Sequence, residues 1–138
     1  QERLLLAATS AGHCLKILEV VQEFAATRRT FGKPITEYQA VSHKLADMHM
    51  LTETARLATY HAADMLDAGE DAVLETTTAK IVATENNFRV ADLGMQIMAG
   101  NGYVAGEMQR LFREARLGPI GGGTSEILRN VISKRMES

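Results

Sequence analysis

Two prolines in 138 residues, Pro34 and Pro119, leave nearly the whole chain free to run as uninterrupted helix. No period-2 run of β-branched residues competes with that reading, and apolar residues recur at helical spacing almost throughout. The first helix is predicted over residues 2–29, with Leu5, Ala8, Leu15, Leu18, Val21 and Ala25 near one face. "TFGKPITEY" ends it, because Gly32 and Pro34 together cannot continue a helix. A second helix is predicted over 38–66, with Val41, Leu45, Met48, Ala55 and Leu57 as candidate core positions, and Gly69 suits its C-terminus. A third spans 74–98, with Ile81, Phe88, Ala91, Met95 and Met98 spaced by 7, 3, 4 and 3 residues. After "AGNGYVAG" come a shorter helix over 107–116, a second glycine stretch and a last helix over 124–135. Long helices joined by short loops must be antiparallel neighbours. The expected fold is therefore all-α, an antiparallel up-down four-helix bundle with an additional short helix, in a single domain.

Composition narrows the function classes. Hydrophobic residues at 46% and charged residues at 23% describe a globular core rather than a disordered or fibrous chain. A net charge of −2 gives no general attraction to nucleic acid or anionic membrane. No apolar run approaches the roughly 18–20 residues a membrane span needs. Cys14 stands alone, so no internal disulfide can form. It reads as a buried small residue and fits a reducing compartment: the cytoplasm, or the mitochondrial matrix in a eukaryote. The chain opens on Gln1 with neither a secretory leader nor an Arg-rich transit segment, and is expected to be a piece of a longer protein.

Bundles often house metals, but a di-iron site needs Glu-x-x-His on inward faces. Stepping three residues from any Glu never reaches His13, His43, His49 or His61, so no metal site is expected. "GNGYVA" formally fits a dinucleotide fingerprint, yet it follows a helix rather than a strand. "GGGTSE" carries more. Thr124 or Ser125 can N-cap the last helix, and Gly121 to Gly123 leave its free amides bare. That is either a tight capped turn or a cradle for an electron-rich ligand, and spacing leaves both open. Arg28 and Arg29 at one helix end, and Glu2 at a helix start, suit the helix dipole. Arg110, Arg113 and Arg116, spaced by three, read as a solvated face.

In order along the chain, "QERLLLAA", "TRRTFGKPITEYQAV" with "KLADM", "QIMAGNGY" and "REARLGPIGGGTSEILR" together resemble the C-terminal domain of the acyl-CoA dehydrogenases. Those flavoproteins desaturate acyl thioesters. The chain departs from the family pattern at Ala99, where a second Gly is common. It also lacks a residue and the familiar Pro between Tyr103 and Arg110. The resemblance implies FAD contacts at Arg28 and Gln39, and Phe31 packed near the cofactor. It further implies that Gln96, Ile97, Met98, Ala99 and Gly100 reach an FAD held by a neighbouring subunit. Thr124, Ser125 and Glu126 correspond to the last FAD-contacting triplet, which moves the glycine stretch toward the ligand reading.

The chemistry so implied removes a proton α to the thioester while a hydride leaves the β carbon, and it needs a placed general base. Many members carry that base immediately before "GTS", where this chain has Gly122. The isovaleryl and long-chain members carry it instead in an "ER-L" pattern at the start of the domain's first helix, and Gln1-Glu2-Arg3-Leu4 matches. Glu2 is thus the expected base. Arg3 orients or tunes it, and Gly122 and Gly123 leave room for the acyl group or the Glu side chain. The resemblance also implies an acyl-CoA substrate, an electron-transfer flavoprotein or similar acceptor, and a homotetrameric parent. The isolated chain is expected to be inactive, to bind FAD weakly or not at all, and to self-associate. Two other readings stay open: a non-catalytic interaction module descended from such an enzyme, and a flavin monooxygenase on the same fold.

Overall fold

The computed structural model describes residues 2–137. Helices α1 (Glu2–Thr27), α2 (Gln39–Asp67) and α3 (Val73–Met98) are the long elements, followed by the single turn α4 (Gly100–Tyr103), α5 (Glu107–Leu117) and α6 (Ser125–Met136). Arg3 meets Thr77 and Val21 meets Gly94, so α1 and α3 run parallel, whereas Asn86 on α3 reaches back to Leu51 on α2. The long helices therefore alternate up, down and up. α3 is the central one, with α1, α2, α5 and α6 all packed against it. The all-α bundle expected from the spacing is the observed architecture.

The core differs from the expected stripe. Leu5 is 67% exposed and Leu57 58% exposed, and Ala8 and Leu15 also face out. The buried face of α1 is instead Ala7, Ser10, Cys14, Ile17, Leu18, Val21 and Ala25, and that of α2 is Met48, Thr52, Ala55, Thr59 and Ala62. Val41 and Leu45 are half-buried, as are Phe88, Met95 and Met98 on α3, while Ile81 and Ala91 are buried. The reason is close approach. A Cβ on Gly94 would lie 2.8 Å from Val21 Cγ2, leaving no room for large side chains where α1 crosses α3. Small residues and threonines fill these contacts. Thr52, Thr59 and Thr84 return their hydroxyls to carbonyls four residues back at 2.8 Å, so no buried donor is left unpaired there.

By length and a mean hydropathy of 1.5, α1 is apolar enough to cross a bilayer, contrary to the expectation that no stretch comes near that. Here its inner face packs on α2 and α3, as a bundle's core helix does. Cys14 is fully buried among them, and burial pushes its thiol up to about 12. The native chain should accordingly resist thiol alkylation at roughly pH 8 and react only on unfolding. Rapid labelling of the folded chain would contradict that packing.

The connections use specific backbone chemistry. The break after α1 is a small hairpin, with β1 (Arg29–Thr30) paired antiparallel to β2 (Lys33–Pro34). Phe31 and Gly32 form its two-residue turn at φ 49° and 84°, the handedness that matches strand twist. Tyr38 braces it by donating its hydroxyl to Thr30 O at 2.8 Å. α2 ends as expected at Gly69, whose positive φ lets Gly69 and Glu70 donate to the Leu66 and Met65 carbonyls.

Candidate active site

At one end of the bundle, the loop 118–124 folds back over the start of α1. Gly122 and Gly123 have φ of 67° and 94°, a conformation that side chains resist. A Cβ on Gly122 would overlap Leu6 Cδ1 and lie 3.7 Å from Glu2 Oε1. The Glu2 carboxylate thus borders the space that a side chain at 122 would take. Among the described residues Glu2 has no ion-pair partner. Arg3 turns away from it and donates from Nη1 to Thr77 Oγ1 at 2.9 Å.

Lys80 fastens the loop. It is fully buried, and its Nζ donates to Gly118 O and Gly123 O at 2.9 Å each, tying together the two ends of the glycine stretch. Desolvation lowers the Lys80 pKa, and the nearby Glu85 carboxylate partly offsets this. Gly118 sits tight on α3, where an added Cβ would be 3.0 Å from Thr84 Cβ. One face of α3, carrying Thr77, Lys80 and Thr84, therefore holds both Arg3, beside Glu2, and the loop opposite it.

The loop delivers the chain into α6. Of the two caps the sequence offers, Thr124 is the one used, accepting from Ile127 N at 3.4 Å. A cavity of about 400 Å³ opens at this helix start, lined by Arg89, Arg116, Thr124, Ser125 and Glu126. Glu85, also in its wall, is held by Arg129 at 2.7 and 3.0 Å, which lowers its carboxyl below the usual range. The buried Ser125 hydroxyl lies beside Glu85 but makes no hydrogen bond of good geometry. Two guanidinium groups and an unpaired hydroxyl form a setting suited to a phosphorylated, hydrogen-bonding ligand.

The other expected cofactor residues lie at the opposite end of the bundle. Arg28, Phe31 and Gln39 cluster around the hairpin, and all three are exposed, Phe31 by 98%. Gln96 to Gly100 end α3 on the same side; Ile97 is buried, Met98 half-buried, and Gln96, Ala99 and Gly100 are exposed. The length of α1 separates the two groups by roughly 38 Å. The structure thus assembles Glu2, Arg3, Gly122, Gly123, Thr124, Ser125 and Glu126 in one region, and sets the remainder apart. Ala99 takes φ 48° and ψ −130°, a conformation that strains any residue with a Cβ. Ala99→Gly is expected to raise stability by about 1 kcal/mol, reversing the usual sign of an Ala-to-Gly change. A lower urea midpoint for the variant would contradict this.

The C-terminal domain model of the acyl-CoA dehydrogenases matches residues 1–137. The chain belongs to that family. It is 38% identical over 133 residues to the bovine short-chain specific acyl-CoA dehydrogenase, mitochondrial, covering 95% of this chain and 32% of that protein. Butyryl-CoA dehydrogenase from Megasphaera elsdenii superposes with a TM-score of 0.96 at 33% identity, over 99% of this chain and 36% of that one. A structure described as PigA with FAD and proline superposes with a TM-score of 0.91 at 26% identity, over 99% and 36% respectively. This acyl-CoA dehydrogenase domain thus spans about a third of the length of the relatives it matches. The fold and family implied by the sequence motifs stand confirmed.

Lys80, Leu6 and Arg89 escaped the sequence reading. A signal for Lys80 existed: Thr77, Lys80, Thr84 and Asn87 share one helical face, and a lysine there must be buried with its ammonium satisfied. The loop carbonyls that satisfy it lie about forty positions away, beyond any local pattern.

Proposed function

We propose that this domain is the C-terminal part of an FAD-dependent dehydrogenase that desaturates an acyl-CoA thioester at its α,β bond, with Glu2 as the base. The observation carrying the proposal is the complementarity of Glu2 and Gly122. A carboxylate borders the space that a side chain at 122 would need, and Leu6 together with two positive-φ glycines keeps any side chain at 122 out of it.

FAD, when bound, supplies the hydride acceptor. The chain's own residues do the rest. Glu2 Oε1 takes the proton from the carbon α to the thioester, and the electron pair left behind forms the double bond as the β hydride departs. Arg3, tied to Thr77, anchors the start of α1, and the loop, tied to Lys80, is held over it, so the backbone that carries Glu2 stays in place. Thr124, Ser125 and Glu126 would hold the cofactor at the start of α6, with Arg89 and Arg116 offering charge to its phosphates.

The separation of the two residue groups supports an oligomer. Arg28, Phe31, Gln39 and Gln96 to Gly100 lie roughly 38 Å from Glu2, so they would serve the cofactor of a second copy. An oligomer in which subunits complete each other's sites follows from this reading, and the family resemblance makes it a homotetramer. An electron-transfer flavoprotein or similar acceptor would reoxidise the flavin. The compartment is the cytoplasm, or the mitochondrial matrix in a eukaryote. Its support is the unpaired Cys14 thiol and the mitochondrial designation of the bovine relative.

Anaerobic mixing of the full-length flavoprotein with acyl-CoA thioesters tests the proposal. The flavin absorbance should bleach with one equivalent of the 2-enoyl thioester formed. An oxidised flavin that no acyl-CoA bleaches would refute it.

A further inference from the structure

The Gly123–Thr124 peptide has its carbonyl held by a cation and its N–H left open. The carbonyl accepts from the Lys80 ammonium at 2.9 Å. In a trans peptide the carbonyl and the N–H point in opposite directions, so Thr124 N–H faces away from Lys80. The donors around it are used locally. Ser125 N donates to Pro119 O at 3.1 Å, and Ile127 N to Thr124 Oγ1 at 3.4 Å. Thr124 N–H has no acceptor among the described residues. Thr124 and Ser125 both line the cavity of about 400 Å³ at the start of α6. Ser125 is 4% exposed, and its hydroxyl is also unpaired. An open amide next to a buried hydroxyl without a partner, on one cavity wall, points to a ligand that accepts hydrogen bonds.

We infer that Lys80 is a positioning residue for the cofactor: acting through the Gly123–Thr124 peptide, it aims and strengthens the Thr124 amide as a donor to a cofactor oxygen. The inference rests on the reading that the start of α6 holds the flavin cofactor. Two effects combine. Lys80 fixes the rotation of the peptide, since turning the amide would break the bond between its carbonyl and the ammonium. A cation on the carbonyl also draws charge through the peptide and makes its N–H a better donor, as linked hydrogen bonds polarise one another. The same ammonium binds Gly118 O at 2.9 Å, but the next residue there is Pro119, which has no N–H to strengthen. Of the two peptides that Lys80 grips, only the one ending in Thr124 can pass its charge on to a ligand.

Proline tests the amide directly. Thr124 takes φ −61° and ψ 156°, which proline adopts without strain, so Thr124→Pro removes the N–H and keeps the path of the chain. Thr124→Ala loses the same hydroxyl cap but keeps the N–H. Titrating the full-length apoprotein with FAD, followed by flavin fluorescence, gives a Kd for each variant. Thr124→Pro should bind FAD about tenfold or more weakly than Thr124→Ala. Lys80→Met should weaken binding severalfold when added to Thr124→Ala and no further when added to Thr124→Pro, because the donor it aims is then gone. A Lys80 that only stabilises the fold would act alike in both backgrounds, and that result overturns the inference. Equal Kd values for Thr124→Pro and Thr124→Ala overturn it too, and this comparison decides the matter alone if Lys80→Met does not fold. Neither result touches the cofactor reading while the wild-type apoprotein takes up FAD. A wild-type apoprotein that binds no FAD sinks that reading, and the inference falls with it.

Discussion

Glu2→Gln is expected to slow flavin reduction by an acyl-CoA by at least about 10²- to 10⁴-fold, with thioester binding largely retained. The amide keeps the volume of the carboxylate and loses only its capacity to take a proton. Because Glu2 is exposed and makes no ion pair among the described residues, its replacement should leave the fold unchanged. Stopped-flow absorbance of the full-length flavoprotein reads the effect. The loop geometry adds a second expectation. Adding Gly122→Glu to Glu2→Gln should not restore activity, since its Cβ would overlap Leu6 and position 122 has φ 67°. Shortening Leu6 to Ala in the same background should be required for any recovery. Wild-type rates in Glu2→Gln would remove Glu2 from the chemistry.

Lys80→Met is expected to be among the most destabilising single substitutions in the domain, at about 2–3 kcal/mol. Methionine matches the length and packing of the lysine stem but leaves the Gly118 and Gly123 carbonyls without their donor. Removing a buried cation returns part of that loss, because desolvation already disfavours the charged form of Lys80. The two unpaired carbonyls outweigh this return, since both bonds are partly shielded from water. Lys80→Ala should be worse, because a cavity then adds to the lost bonds. Urea titration of the 138-residue chain measures both. Equal midpoints for wild type and Lys80→Met would show that the carbonyls find other donors, and that the loop does not depend on this clamp. The Arg129–Glu85 and Arg135–Asp71 pairs, though shorter than 3 Å, lie at the surface and should each matter far less.

Helices were legible because two prolines and a few glycines punctuate an otherwise continuous helical period. Gly69, Thr124 and the Gly32–Pro34 break all act as local chemistry dictates. The inner face of α1 was not legible. Periodicity ranks Leu5 and Leu15 above Ala7 and Ser10, while the crossing with α3 at Gly94 favours small side chains over greasy ones. Nor could local pattern show that Phe31 would stand almost wholly in solvent, because its exposure follows from a two-residue turn with positive φ at both positions. The pairing of Glu2 with Gly122 is the clearest long-range relation available from motifs. The Lys80 clamp on its loop became visible only once α3 was placed beneath that loop.

Exchange of the α proton tests the central claim most directly. An acyl-CoA analogue with sulfur in place of the β carbon can lose its α proton but cannot give up a hydride. The oxidised full-length flavoprotein, in deuterated water, should exchange the α hydrogen of that analogue for deuterium at a rate far above the uncatalysed one. Glu2→Gln should bind the analogue and leave it unexchanged. Exchange at the wild-type rate in Glu2→Gln would contradict the assignment of Glu2 as the base.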